Sequence, residues 1–117
     1  MEKSVLIVDR SKICSHLLEN ALELNKYNTI KSTNADEAGE IIMHLPVGLT
    51  ILNLDNADDE FFSILRDCIR LKKNIIITLS SDENSLIRKL ETYGVDTYYI
   101  KPLDMNKILT VVFEYME

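Results

Sequence analysis

Polar side chains of complementary chemistry stand at the ends of four short apolar runs. Asp9 follows Ser4-Val5-Leu6-Ile7-Val8, and Asn53 and Asp55 close the run that begins at Leu49. Thr78 and Ser80 close Asn74-Ile75-Ile76-Ile77-Thr78-Leu79, and Lys101 follows Tyr98-Tyr99-Ile100. Carboxylates, a hydroxyl and a lysine around one point are what a small anion plus a divalent cation requires. Oxygen ligands suit Mg²⁺, and a lysine with a hydroxyl can hold phosphoryl oxygens. Arg10 argues the other way, because a fixed cation next to Asp9 competes for the same carboxylates. A plainer origin also exists, since backbone groups at strand ends need polar partners where the chain meets water.

For these groups to meet, the runs that precede them must be neighbouring strands. The Val- and Ile-rich runs read as parallel strands covered on both faces. Thr29-Ile30-Lys31-Ser32 is a weaker, partly exposed edge strand. Helical stripes lie between them. Ile13, Cys14, Leu17, Leu18, Ala21 and Leu22 repeat at three- and four-residue spacing, with Ser11 as cap, over a helix reaching about Asn25. Thr33 or Asn34 caps a second helix that turns Ala35, Ala38, Ile41 and Ile42 inward and stops by His44 or Leu45, before Pro46 and Gly48. A third carries Phe61, Phe62, Ile64, Leu65, Cys68 and Ile69 after the polar loop at 55–59. A fourth follows the capping-box spacing of Ser80 and Glu83, presents Leu86, Ile87 and Leu90, and stops at Gly94. A fifth is capped by Asp104 and bears Ile108, Leu109, Val112, Phe113 and Met116.

The alternation is (βα) five times with short connections. It predicts a doubly wound α/β fold with a five-stranded parallel sheet, right-handed crossovers and helices on both faces. A ligand site in such a fold lies at the C-terminal strand ends near the switch in strand order, where Asp9, Arg10, Asn53, Asp55, Ser80 and Lys101 fall.

Composition narrows the function. Apolar residues make up 46% of the 117 and charged residues 27%, as expected of one soluble domain spanning residues 1–117. Acidic residues outnumber basic ones 19 to 13, for a net charge of −6, which disfavours nucleic-acid or anionic-membrane binding by this domain. No apolar run approaches the roughly 20 residues needed to span a bilayer, and the start lacks a signal-peptide pattern, so cytoplasmic residence is expected. Cys14 and Cys68 read as small core hydrophobes, and neither they nor His16 and His44 have metal-ligand spacing. No glycine-rich loop follows the first strand, where the text is Val8-Asp9-Arg10-Ser11-Lys12, so a dinucleotide or P-loop site is excluded at its defining feature.

Over its whole length the sequence resembles the receiver domains of two-component response regulators, the CheY-like domains. Val5-Leu6-Ile7-Val8-Asp9-Arg10 is similar to their opening, Asn34-Ala35-Asp36-Glu37-Ala38 to the start of their second helix, and Gly94-Val95-Asp96-Thr97-Tyr98-Tyr99-Ile100-Lys101-Pro102 to their most specific segment. The resemblance implies that Asp9 is a metal-binding acid, Tyr98 the switch aromatic and Lys101 the phosphate-contacting lysine. It also makes Lys101-Pro102 a cis-peptide candidate and Ser80 the hydroxyl, with Thr78 as alternative.

The departures are specific. Arg10 stands where a second acid belongs. Counting from the stripe Ile64, Leu65, Cys68 puts Asn53 at the phosphoacceptor and Asp55 two residues on, where the family offers a backbone carbonyl to the metal. An amide is a poor nucleophile and carries no charge to help hold Mg²⁺. The leading expectation is therefore a degenerate, non-enzymatic pseudo-receiver with an ion-paired pocket and no cofactor, working through protein contacts with a histidine kinase or an effector domain. The contact or homodimer face would be Ser81 to Met116, with Arg88, Lys89, Glu91, Tyr93, Tyr98, Tyr99 and Lys107 as candidates, and an effector domain could follow residue 117. Two alternatives stand beside it: a working phosphoacceptor using Asp55 with Mg²⁺ at Asp9 and Asp55, and a flavodoxin-like small-ligand module.

Overall fold

The structure, a computed structural model, describes residues 2–81 and 84–117. Its strands are β1 (Ser4–Val8), β2 (Asn28–Ser32), β3 (Val47–Asn53), β4 (Ile75–Leu79) and β5 (Tyr99–Ile100). Its helices are α1 (Lys12–Leu24), α2 (Ala35–His44), α3 (Asp59–Arg70), α4 (Asn84–Thr92) and α5 (Met105–Met116). All strand pairs are parallel, in the order β2-β1-β3-β4-β5, so the doubly wound (βα)₅ fold is as the alternation predicts.

The largely apolar text of β1 and β3 follows from their central position. Successive side chains point to opposite faces, and each face has its own core. Leu6, Val8, Leu52 and Ile77 pack with α2, α3 and Leu90 of α4 on one side. Val5, Ile7, Leu49, Ile51 and Ile76 pack with Leu18 and Leu22 of α1 and Ile108 and Val112 of α5 on the other. Register then fixes the strand ends: Val8 lies beside Leu52, and Asn53 beside Thr78.

The caps Ser11 and Asp104 fall where the sequence puts them, Asn34 is the one used of its pair with Thr33, and Asp58, read in the sequence as loop, caps α3. Ser11, Asn34, Asp58 and Asp104 begin α1, α2, α3 and α5, each accepting from a backbone N–H in the first turn. Glu83 of the Ser80–Glu83 capping box lies outside the described residues.

Several expectations are corrected. Ile13 (77% exposed) and Leu17 face outward, and α1 instead buries Ser15, Leu18 and Leu22. The periodic stripe is wider than the strip of sheet available, so one edge of it stays in solvent. Phe113 and Ile69 are outside for the same reason. Cys68 is buried as expected, whereas Cys14 is half-buried beside the strand-end cavity. β3 begins at Val47 and takes Gly48 within it. A Cβ there would lie 2.7 Å from Met116 Sδ and 3.1 Å from Lys3 Cβ, so this glycine admits a close approach.

Leu52 is wholly buried at the centre of the sheet. Its truncation in Leu52→Ala should cost about 3 kcal/mol, read as a lowered urea midpoint with unchanged slope.

Candidate functional site

A cavity of about 530 Å³ opens at the C-terminal ends of β1, β3, β4 and β5. Asp9, Arg10, Asn53, Asp55, Ser80, Lys101 and Pro102 line it, along with Ile13, Leu17, Leu103 and Met105. The strand-end residues therefore converge although the sequence spreads them over more than ninety positions. Polar groups form the floor, where Asp9 and Asn53 are buried, and the exposed Ile13 and Leu17 form part of the rim.

Asp9 continues β1 by one residue, its N–H donating to the Ser32 carbonyl at 3.2 Å. Its Oδ1 accepts from Ser11 N–H at 2.8 Å, which ties the carboxylate to the start of α1. Lys101 Nζ lies 3.0 Å from Asp9 Oδ2. The approach is off the line of a directed hydrogen bond, so Oδ2 has a charge partner and no aligned donor. Burial alone would lower the Lys101 pKa, but the Asp9 carboxylate 3.0 Å away outweighs it and holds the ammonium above its ordinary value. The Lys101–Pro102 peptide is cis.

The second half of the floor is a network around Asn53. Its Nδ2 donates to Asp55 Oδ2 at 3.0 Å, to the Thr78 carbonyl at 3.2 Å and to Thr78 Oγ1 at 3.1 Å, and its Oδ1 accepts from Asp55 N–H at 3.1 Å. Asp55 in turn takes both donors of Ser80, the backbone N–H on Oδ1 at 2.6 Å and the hydroxyl on Oδ2 at 2.5 Å. Burial raises the Asp55 pKa, but the two Ser80 donors, the Asn53 amide and the Lys101 charge bring it below the ordinary aspartate value. Of the two hydroxyls left open by the sequence, Ser80 lines the cavity and Thr78 is buried beneath it.

Arg10 departs from expectation. Its guanidinium pairs with neither Asp9 nor Asp55. It reaches Asp58 Oδ2 at 3.5 Å and the Asn56 carbonyl at 3.4 Å, and its central carbon lies 3.9 Å above the centre of the Phe61 ring. Lys101 already neutralises Asp9, and the flat guanidinium gains an aromatic face across the cavity mouth. Sequence reasoning missed Asp58 and Phe61 as its partners. Asp58 lies in the polar loop read at 55–59, and its approach to Arg10 depends on where β1 and β3 end in space.

Tyr98 is half-buried just ahead of β5, against the α2–α4 core. Among the described residues, no group of three or more His, Cys, Asp or Glu side chains gathers where a metal could sit, and no helix is long and apolar enough to cross a membrane.

The fold is that of CheY-like response-regulator receiver domains. A response regulator from Thermotoga maritima superposes with a TM-score of 0.81 at 21% identity, covering 99% of this chain and 98% of that one. A CheY-like receiver domain protein from Methanospirillum hungatei superposes with 0.83 at 20% identity, covering 99% and 94%. In sequence, the chain is 25% identical to sporulation initiation phosphotransferase F of Bacillus subtilis, over 99% of this chain and 95% of that protein. It is 26% identical to the transcriptional regulatory protein KdpE of Staphylococcus aureus over 92% of this chain, a match that spans about half (47%) of that regulator. No protein-family model matches the sequence.

Because the folded Asp55 pKa is depressed, what this carboxylate contributes to stability is complete above the ordinary aspartate pKa of about 3.9 and fades as pH falls through the lower folded value. Carboxyl-carbon NMR titration should find Asp55 among the more acidic aspartates. Ser80→Ala should move its midpoint upward by removing the hydroxyl donor.

Proposed function

We propose that the chain is a receiver domain of a two-component phosphorelay that works through protein contacts, with phosphoryl acceptance impaired. The observation that carries this reading is the occupation of Ser80. Its N–H and hydroxyl are both taken by Asp55. The family resemblance assigns the Ser80 hydroxyl to an incoming phosphoryl group, so an internal carboxylate stands in its way. The residue in register for nucleophilic attack, Asn53, is an amide whose side-chain nitrogen is spent on Asp55 and Thr78.

The donor set also suits Mg²⁺ poorly. The family's second acid is Arg10 here, and Asp9 Oδ2 already faces the Lys101 ammonium at 3.0 Å. A cation at Asp9 and Asp55 would have to displace that lysine or complete its shell with water. The partner would be a histidine kinase or an effector domain, in trans or following residue 117. It would be met by the face from Ser81 to Met116, where Arg88, Lys89, Glu91 and Lys107 are exposed and Tyr98 and Tyr99 half-buried. A homodimer through the same face is the other use of these residues. Neither use needs nucleic-acid contact or a membrane, and a cytoplasmic setting suits both.

A second reading has its own support. Asp55 is a partly exposed carboxylate kept ionised at neutral pH, Arg10 is turned away from it, and one full-length relative is named a phosphotransferase. The comparisons favour this reading over the first, whereas the side chains in the cavity favour the first. In it, an Asp55 oxygen attacks the phosphorus of a small donor, the bond from phosphorus to the donor's carboxylate oxygen breaks, and the donor leaves as a carboxylate.

Intact mass after incubation with acetyl phosphate and Mg²⁺ separates the two. No adduct is expected in the wild type. A gain of one phosphoryl group that is labile in alkali, absent in Asp55→Asn and diminished in Asp9→Asn would overturn the first reading in favour of the second.

A further inference from the structure

The first turn of α3 touches the cavity mouth on one side and α4 on the other, through two neighbouring phenylalanines that are each 2% exposed. Phe61 lies under the Arg10 guanidinium, 3.9 Å from its ring centre, and the α3 cap Asp58 accepts from the same group. Phe62 lies under Lys89 of α4, again 3.9 Å from the ring centre to Nζ, and stacks on Tyr93 just beyond α4 with centroids 6.0 Å apart. Arg66, one turn further along α3, donates to the Tyr93 hydroxyl at 3.1 Å.

Lys89 Nζ also lies 3.9 Å from Asp59 Oδ1 in the same turn of α3, and among the described residues α4 is otherwise lightly anchored. Leu90 is its one buried residue among those described, with Leu86 and Ile87 half-buried. A helix anchored by one core side chain belongs to the low-stability end of a fold, and changes in its few remaining contacts shift it readily. Asp58 and Phe61 cannot move with Arg10 without moving Phe62, because the five positions from 58 to 62 share one helical turn and its cap.

We infer that the first turn of α3 couples the cavity mouth to α4, with Arg10 on Asp58 and Phe61 as the input contact and Phe62 on Lys89 and Tyr93 as the output. The residue that replaces a metal-binding acid thereby acquires a positioning role: Arg10 clamps the β3–α3 loop, and releasing it loosens α4. This route is built from contiguous packed side chains, the physical form such coupling takes. Its use as a signal path rests on the α4 contact face proposed above. The coupling itself does not, and it is measured on the isolated chain with neither phosphodonor nor partner.

The test is amide and tyrosine-ring NMR on Arg10→Ala and Arg10→Lys, with Lys31→Ala as an exposed-cation control. Arg10→Ala is expected to shift the Tyr93 ring and the amides of 86–93 beyond anything seen in the control, and Arg10→Lys to restore part of the change by keeping a cation over Phe61. Shifts confined to 8–12 and 54–62 would overturn the inference. Denaturation of Arg10→Ala, Lys89→Ala and the double variant gives a second measure: the destabilisations should fall short of adding, and strict additivity would count against coupling. Should Arg10→Ala fail to fold, Arg10→Gln gives the same comparison, with the same outcomes on either side.

Discussion

The pairing of β3 between β1 and β4 is the constraint on which the site depends. Val8 beside Leu52 and Asn53 beside Thr78 bring the C-terminal ends of three strands to nearly one level. Because β1 and β3 bury both faces, a slip of one residue would swap the α2–α4 core for the α1–α5 core, which makes the register costly to change. Asp9, Asn53 and Thr78 are held in place by hydrophobic burial several residues away, and the polar floor inherits its geometry from the apolar sheet.

Within that frame the charges are arranged in two nearly closed sets. Asp9 is matched by Lys101, and Asp55 accepts from Ser80 and Asn53. Arg10 belongs to neither. A guanidinium is weakly hydrated and planar, so it gains more from a ring face and a capping carboxylate than from competing with a lysine already at 3.0 Å from Asp9. The cavity floor therefore sets two carboxylates against one lysine, while its mouth is bridged by an arginine that links two loops.

Ser80 shows a strand-end hydroxyl answered at long range in the sequence. It donates to Asp55, twenty-five residues earlier, at the end of the neighbouring strand. A charge-assisted bond to a carboxylate is roughly twice as strong as a neutral one, and it ties the ends of β3 and β4 together.

The order of elements, the caps Ser11 and Asp104, the pair Thr33 and Asn34 from which the second cap comes, the (βα)₅ class and the set of strand-end residues were all legible in the sequence. Each depends on local periodicity, on backbone donors in a first helical turn, or on the rule that parallel strands alternate with crossovers. Which edge of each stripe faces water, as at Ile13, Leu17, Ile69 and Phe113, was not legible, because the width of the buried strip is set by the sheet and the neighbouring helices. Nor was the partner of each charge: Arg10 is adjacent to Asp9 in sequence but meets Asp58, Asn56 and Phe61 in space. Sequence alone determined which groups arrive at the strand ends. Only the tertiary structure decided which of them pair, since that choice depends on distances and burial that no local pattern encodes.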